Sequence, residues 1–302
     1  MASSSRDIKR RIKSVKNIAQ ITKAMELVAA TKMRKAQAQT LSSRPYAQLS
    51  SALVQNLAKR SDYLKHPLIA RILPEDQPVP VQKILAVIIT PDRGLAGALN
   101  TNLINKAYEL LKSEGIERFD VITVGKKGAN AARRLNLNII AAFDSRDKNI
   151  SIQDAKPIAE IAIEGFVGNF SAKGGSASGG KYEKVFVVYT DFVSTLTQKP
   201  NILQILPLVP EKETDNTEYL FEPGPDEVLD ALVGKVVEFA IFQTMLEAVA
   251  SEHSARMVAM RNANEAAADL IDDLSLTYNQ ARQASITKEL SEISAAKLAM
   301  EG

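Results

Sequence analysis

The chain has 302 residues, 45% of them hydrophobic and 24% charged, with a net charge of +3. That is enough for one large domain or two ordinary ones built on a real core. Cysteine and tryptophan are both absent, which excludes disulfides, thiolate catalysis and zinc sites built on sulfur. No stretch approaches the ~18 uninterrupted apolar residues of a membrane span.

The small net charge conceals an asymmetry. Residues 1–35 hold ten basic groups against Asp7 and Glu26, a balance of +8, while residues 225–302 hold thirteen acids against six bases, a balance of −7. Blocks of this kind steer partners and fix register. No apolar run follows the basic N-terminal residues, so no signal peptide is expected.

Ser3 to Ser5 offer caps for a helix starting near Arg6. Ile8, Ile12, Val15, Ile18, Ile21, Met25 and Val28 then recur every three or four residues. On so basic a segment this narrow stripe predicts a coiled-coil seam. The pattern weakens through Lys35–Thr40, meets Pro45, where a kink or a fresh start is expected, and resumes with Leu49, Leu53 and Leu57. The N-terminal helical segment is thus expected over residues 1–65, with a proline-marked linker over 66–82.

Residues 83–210 read as an α/β domain. Lys83–Thr90 is a near-continuous apolar run, as a buried strand requires, and a helix from about Ala98 to Ser113 follows. Phe119–Val124, Asn138–Phe143 and Lys184–Thr190 give three further strands, and Lys126–Leu135 and Ile152–Phe170 two further helices. Leu203–Leu208 is expected at a sheet edge because Pro207 cannot donate to a ladder. The alternation predicts a mainly parallel, Rossmann-like sheet. Residues 171–180, rich in Gly and Ser, read as a flexible loop, and 211–225 as a second linker.

The last segment, 226–302, has no proline, and no glycine lies between Gly234 and Gly302. Val228, Leu232, Val236, Phe239, Phe242 and Leu246 lie on one helical face, and Leu270, Leu274 and Tyr278 extend the pattern. About 75 helical residues would span roughly 110 Å. Such a helix needs partners. Two long helices of opposite charge flanking a compact domain predict an antiparallel pair.

Chemistry is sparse. Thr90–Asn100 follows the first strand and opens a helix, where phosphate sites occur, yet Gly94 and Gly97 are spaced G-x-x-G and no G-K-[ST] is present. The glycines read as a tight turn with close packing. Val124–Gly128 repeats the geometry with two lysines and reads as a solvated loop. His66 and His253 lack a nucleophile partner, and Glu247 and Glu252 point apart on one helix. The basic N-terminal stripe lacks the interleaved aromatics of a nucleic-acid binder. Arg282 and Gln283 are planar groups suited to bidentate contacts, or simply solvated. Two readings stay open on these residues: a nucleotide-binding α/β enzyme using the Asp92–Asn100 loop, and a coiled-coil scaffold.

Four stretches together, Ile8–Met33, Asp92–Asn100, Ser251–Ala263 and Tyr278–Ile293, resemble the γ-subunit family of F-type ATP synthases, in the family's order and over nearly the whole chain. The resemblance implies a non-catalytic central shaft that transmits torque between a membrane rotor ring and catalytic β subunits. It implies an antiparallel coiled coil inside a ring of three α and three β subunits. The α/β domain would form a foot beside the ε subunit and the c-ring. It implies no cofactor, no metal, no nucleic acid and no membrane insertion. The expected location is peripheral, on the cytoplasmic face of a bacterial plasma membrane.

Carried over by position, Lys23 and Met25 match the segment meeting the β lever loop, and Arg282, Gln283 and Thr287 match the motif contacting the upper β loops. Ala96 replaces the cysteine of the family's GLCG-like motif, and the two-cysteine insert of chloroplast members is missing. Redox control of that kind is therefore impossible here. The ending Ile293–Met300 departs from the usual glycine-containing tail, and the 171–180 loop looks like an addition.

Overall fold

The computed structural model describes residues 5–60, 68, 83–115, 119–145, 150–167, 182–208, 222 and 224–301. His66, the 171–180 loop and nearly all of the two expected linkers lie outside the described residues. The elements are α1 (Ser5–Arg60), β1 (Lys83–Ile89), α2 (Leu99–Glu114), β2 (Phe119–Val124), α3 (Lys126–Arg134), β3 (Asn138–Phe143), α4 (Ile152–Val167), β4 (Tyr182–Phe192), β5 (Gln198–Leu206) and α5 (Pro225–Glu301). Two long terminal helices thus flank a mixed α/β domain. The chain divides into two compact units, one of residues 31–255 and one of residues 1–30 with 256–302.

In the larger unit the five strands lie in the order β3-β2-β1-β4-β5. β1 pairs parallel with β2 and β4, β2 pairs parallel with β3, and β5 closes one edge antiparallel to β4. The apolar run of β1 feeds two cores at once because its side chains alternate between faces. Ile84, Ala86 and Ile88 pack with Leu103, Ala107 and Leu111 of α2. Leu85, Val87 and Ile89 pack with Ile158, Ala162 and Phe166 of α4 and with Val237, Ile241 and Met245 of α5. The early part of α5 is therefore a core helix of this domain as well as one member of a helix pair.

That double duty explains why the stripe expected on α5 is blurred. Val233, Val237 and Ile241 join the sheet core, while Phe239 stacks on Tyr46 of α1 at 5.8 Å and Ser43 donates to Gln243 at 2.6 Å. Further along, Ala36 and Ala250 meet Phe192. Steps forward on α1 go with steps back on α5 of the same size to within one residue, so the helices are antiparallel. Pro45 sits inside α1 without ending it.

A polar belt crosses the amino ends of the four parallel strands. Asp120 of β2 is buried and accepts from Lys83 Nζ of β1 at 3.2 Å, Asn138 Nδ2 of β3 at 2.8 Å and Tyr182 Oη of β4 at 2.9 Å. Burial, reinforced by the Asp120 charge, raises the Tyr182 pKa, so the phenol stays a donor. Replacing Asp120 by alanine removes the acceptor that all three donors share. We expect Asp120→Ala to lower the unfolding free energy by about 2–4 kcal/mol, measured by urea denaturation; an unchanged midpoint would show that the belt is not a stabilising network.

Candidate subunit-contact surface

The loops at the carboxyl ends of the parallel strands are the first place to look for a ligand, and after β2 the backbone amides are already spent. At the start of α3, Lys126 N donates to Asp92 Oδ1 at 2.8 Å and Lys127 N to the Pro91 carbonyl at 3.2 Å. Gly128 N donates to Thr90 Oγ1 at 2.7 Å and Ala129 N to the Gly125 carbonyl at 3.2 Å. The Asp92 carboxylate occupies the positive end of the helix, where an anion would otherwise sit. Its Oδ1 also accepts from Ser145 N at 3.3 Å, tying together the chain that follows β1, β2 and β3.

Glycine is required at the second of these turns. Gly125 has φ +91°, and a Cβ there would stand 1.9 Å from the Thr90 carbonyl oxygen. The first turn departs from expectation. Gly97 has φ +60°, but the other positive φ, +63°, belongs to Leu95, and a Cβ on Gly94 would meet nothing closer than the end of Lys127 at 4.0 Å. Among the described residues no group of three or more His, Cys, Asp or Glu is arranged to hold a metal.

The smaller unit presents a different kind of surface. Along α1, Ile8, Ile12, Val15, Ala19, Thr22, Glu26 and Ala29 are buried or half-buried; along α5, Met260, Asn264, Ala267, Ile271, Leu274, Tyr278 and Ala281 are. Both sets alternate steps of four and three, the 3.5-residue repeat of a coiled-coil seam. The stripe expected on α1 holds through Val15 and then fails. Ile18, Ile21 and Val28 are 51%, 60% and 57% exposed, each one residue off the seam. A reading that follows the largest apolar side chains misses that alanine and threonine sit between the helices here, leaving the isoleucines outside.

Those exposed residues form the surface. Met25 is half-buried beside them, and Lys23 is exposed with its ammonium 2.9 Å from Glu26. On α5 every described residue from Arg282 onward whose burial is defined is exposed. Arg282 and Gln283 project there, and Thr287 Oγ1 donates back to the Gln283 carbonyl at 3.0 Å. The structure does not gather the five expected contact residues into one patch: Lys23 and Met25 stand on α1, the other three on α5. Ile286, Leu290, Ile293 and Met300 add an apolar line along the same end of α5.

Residues 4–300 match the family described as ATP synthase. The ATP synthase gamma chain of Roseiflexus sp. (strain RS-1) is 40% identical over 301 residues, 98% of each chain. That of Pelotomaculum thermopropionicum is 42% identical over 299 residues, 98% of this chain and 99% of the relative. The chain belongs to the ATP synthase gamma chain family. A chain of the Euglena gracilis mitochondrial ATP synthase, 20% identical, shares the fold with a TM-score of 0.67 over 98% of this chain and 94% of that one. A gamma chain is a central-stalk rotor subunit of an F-type ATP synthase, with the catalytic sites elsewhere in the complex. No helix among the described residues is long and apolar enough to cross a membrane, and the subunit is peripheral.

One polar site of this gamma chain escapes sequence reasoning. Glu247 and Glu252 do not pair with each other, yet Glu247 is buried and its neighbour is Asp191 of β4. Burial pushes the Glu247 pKa up and the Asp191 charge adds to the rise, against the pull of Gln243 and Arg44. Tyr189, also buried and facing Glu247, is pushed up to about 12. A glutamate within an otherwise apolar stretch of α5 was the available signal; the partner, 56 positions away, was not. His253 is buried in α5.

The seam itself can be tested without background, since the chain has no cysteine. Counting back from the contacts near Ser43, Ala19 falls in step with Ala267. We expect the Ala19→Cys/Ala267→Cys variant to form an intramolecular disulfide on mild oxidation, seen as faster migration on a non-reducing gel, because seam alanines bring Cα atoms within the ~6 Å a disulfide spans. Efficient bridging by Ile18→Cys/Ala267→Cys instead would mean the seam is misassigned.

Proposed function

We propose that this chain turns inside a ring of three α and three β subunits, with its α/β domain set against the ε subunit and the c-ring, and carries torque between proton flow and ATP synthesis or the reverse. The observation that carries the reading is the far end of α5. Ile286, Leu290, Ile293 and Met300 stand exposed on a helix that has no seam partner beyond Ala281 among the described residues, and apolar groups in such a line need a sleeve around them. A rotor asymmetric about its axis presents a different face to each surrounding subunit and so biases each toward a different conformation. Lys23 and Met25, with the exposed Ile18 and Ile21 beside them, are the proposed contacts for the β lever loop. Arg282, Gln283 and Thr287 are the proposed contacts for the upper β loops, the guanidinium and the amide offering paired donors. The site of action is the cytoplasmic face of a bacterial plasma membrane.

Arg282 is exposed, so its removal leaves the fold of the chain intact. In a complex reconstituted with α and β subunits, Arg282→Ala is expected to lower ATP-driven turnover by about tenfold, the effect of losing one charge-assisted contact of about 1.5 kcal/mol, and to lower torque. Torque and turnover equal to wild type would remove Arg282 from the contact set.

A further inference from the structure

One edge of the sheet carries a groove that the shaft role leaves unassigned. β3 is the outermost strand beside β2. Its residues from Asn138 to Phe143 are half-buried or exposed, whereas β2 is buried throughout. Natural sheets blunt such edges with lysine, proline or a bulge. The opposite edge, β5, carries Lys199 and Pro200. β3 has neither a charge nor a proline, and its one device is a bulge that leaves Ile140 without a partner on β2. Beyond the bulge, Ala141, Ala142 and Phe143 follow β2 in regular register.

In that stretch hydrogen bonds fix which way the backbone faces. The Phe143 carbonyl accepts from Gly125 N at 2.7 Å, and Ser145 N donates to Asp92 Oδ1 at 3.3 Å. Both residues thus turn their polar groups into the domain. Successive residues of a strand face opposite edges, so Ala142 and Asp144 hold N–H and C=O outward. Both line a cavity of about 310 Å³ with Lys126, Ala129, Asn130 and Arg133 of α3. Lys126, Arg133 and Asp144 are exposed, and among the described residues none of them forms an ion pair. Arg133 Nη1 donates to Asn130 Oδ1 at 3.0 Å, which holds the guanidinium along the groove.

We propose that this groove docks an extended, acidic segment of a partner protein, which adds to β3 as a further strand and sets its carboxylates on Lys126 and Arg133.

A strand laid along β3 meets the outward amides and carbonyls of Ala142 and Asp144, and alternate side chains of that strand fall toward α3. Ala129 and Ala142 keep the floor of the groove shallow, so a backbone can approach without a clash. Lys126 and Arg133 are seven positions apart on α3, about 10 Å along the helix. Strand residues two and four apart are separated by about 7 and 13 Å, and the long lysine and arginine side chains cover the difference. Two cations against the single carboxylate of Asp144 favour an acidic occupant over a basic one. A second copy of this chain would bring its own Lys126 and Arg133 to the same junction, a poorer match of charge. The proposal stands whether or not the chain turns inside a ring, since every residue it uses lies in the α/β domain.

The test uses the full chain and a fluorescein-labelled hexapeptide of alternating glutamate and valine, followed by anisotropy at low salt. Saturable binding below millimolar concentration is expected, with none by the lysine–valine counterpart. Arg133→Glu should weaken binding about tenfold. Of two peptides N-methylated on alternate amides, the one whose methyls face β3 should bind about fivefold more weakly, and the other should bind as the parent does. Ala142→Pro removes an outward N–H at a free edge, where proline is tolerated, and should weaken the parent peptide to a similar extent. The methylated peptides keep the test decisive if that variant fails to fold. Absence of binding up to millimolar peptide, or equal binding by both methylated peptides, would overturn the proposal. Displacement by inorganic phosphate at matched ionic strength would make the groove a small-anion site instead. A dimer of the chain that Ala142→Pro dissolves would assign the edge to a second copy and overturn it equally.

Discussion

Everything in this molecule depends on a long apolar seam that neither terminal helix can bury alone. α1 runs over 56 residues and α5 over 77, lengths at which a solitary helix leaves one face in water. The solution is a shared 3.5-residue repeat in which small side chains recur. Ala19, Thr22 and Ala29 on one helix, and Asn264 and Ala267 on the other, keep the backbones close and leave Ile18, Ile21 and Val28 on the outer surface. The same placement that makes the pair narrow therefore supplies an apolar surface for other subunits to touch. Stability and contact chemistry come from one choice of residues.

The α/β domain contributes rigidity where the helices depart from it. β1 is buried on both faces, and α5 passes through the second core before it becomes half of the helix pair. Residues 233–246 of α5 are thus core to the domain, and the same helix runs on into the helix pair. One loop of the kind that in other doubly wound proteins binds phosphate is here closed by the chain's own groups: Asp92 on the first amide of α3, Thr90 on its third. A fold that often hosts ligands is used for stiffness.

Much of this was legible in the sequence. The first four strands lie within two residues of their expected places because a buried parallel strand must read as a continuous apolar run, whereas the antiparallel β5 begins at Gln198, ahead of the expected Leu203. The family was legible because its motifs recur in order across the chain. What could not be read has physical reasons. The seam of α1 slips by one residue after Val15 because periodicity weights large apolar groups, whereas a close helix pair selects small ones. The turn after β1 placed a positive φ on Leu95 rather than Gly94, a choice made by the tertiary path of the loop. Asp191 and Glu247 come together only through the packing of β4 on α5, and nothing local to either residue announces the other. The five expected contact residues are exposed or half-buried on the two helices, a placement that permits subunit contact but identifies no partner.

The most direct test of the shaft account is to watch this subunit turn. A cysteine placed at the exposed Lys112 of α2 would be the sole thiol in the chain and would carry a bead, with the complex fixed to glass through its β subunits. The account predicts stepwise, one-way rotation of the bead on addition of ATP, stopping when ATP is exhausted. A complex that hydrolyses ATP while the bead stays fixed or merely fluctuates would contradict it.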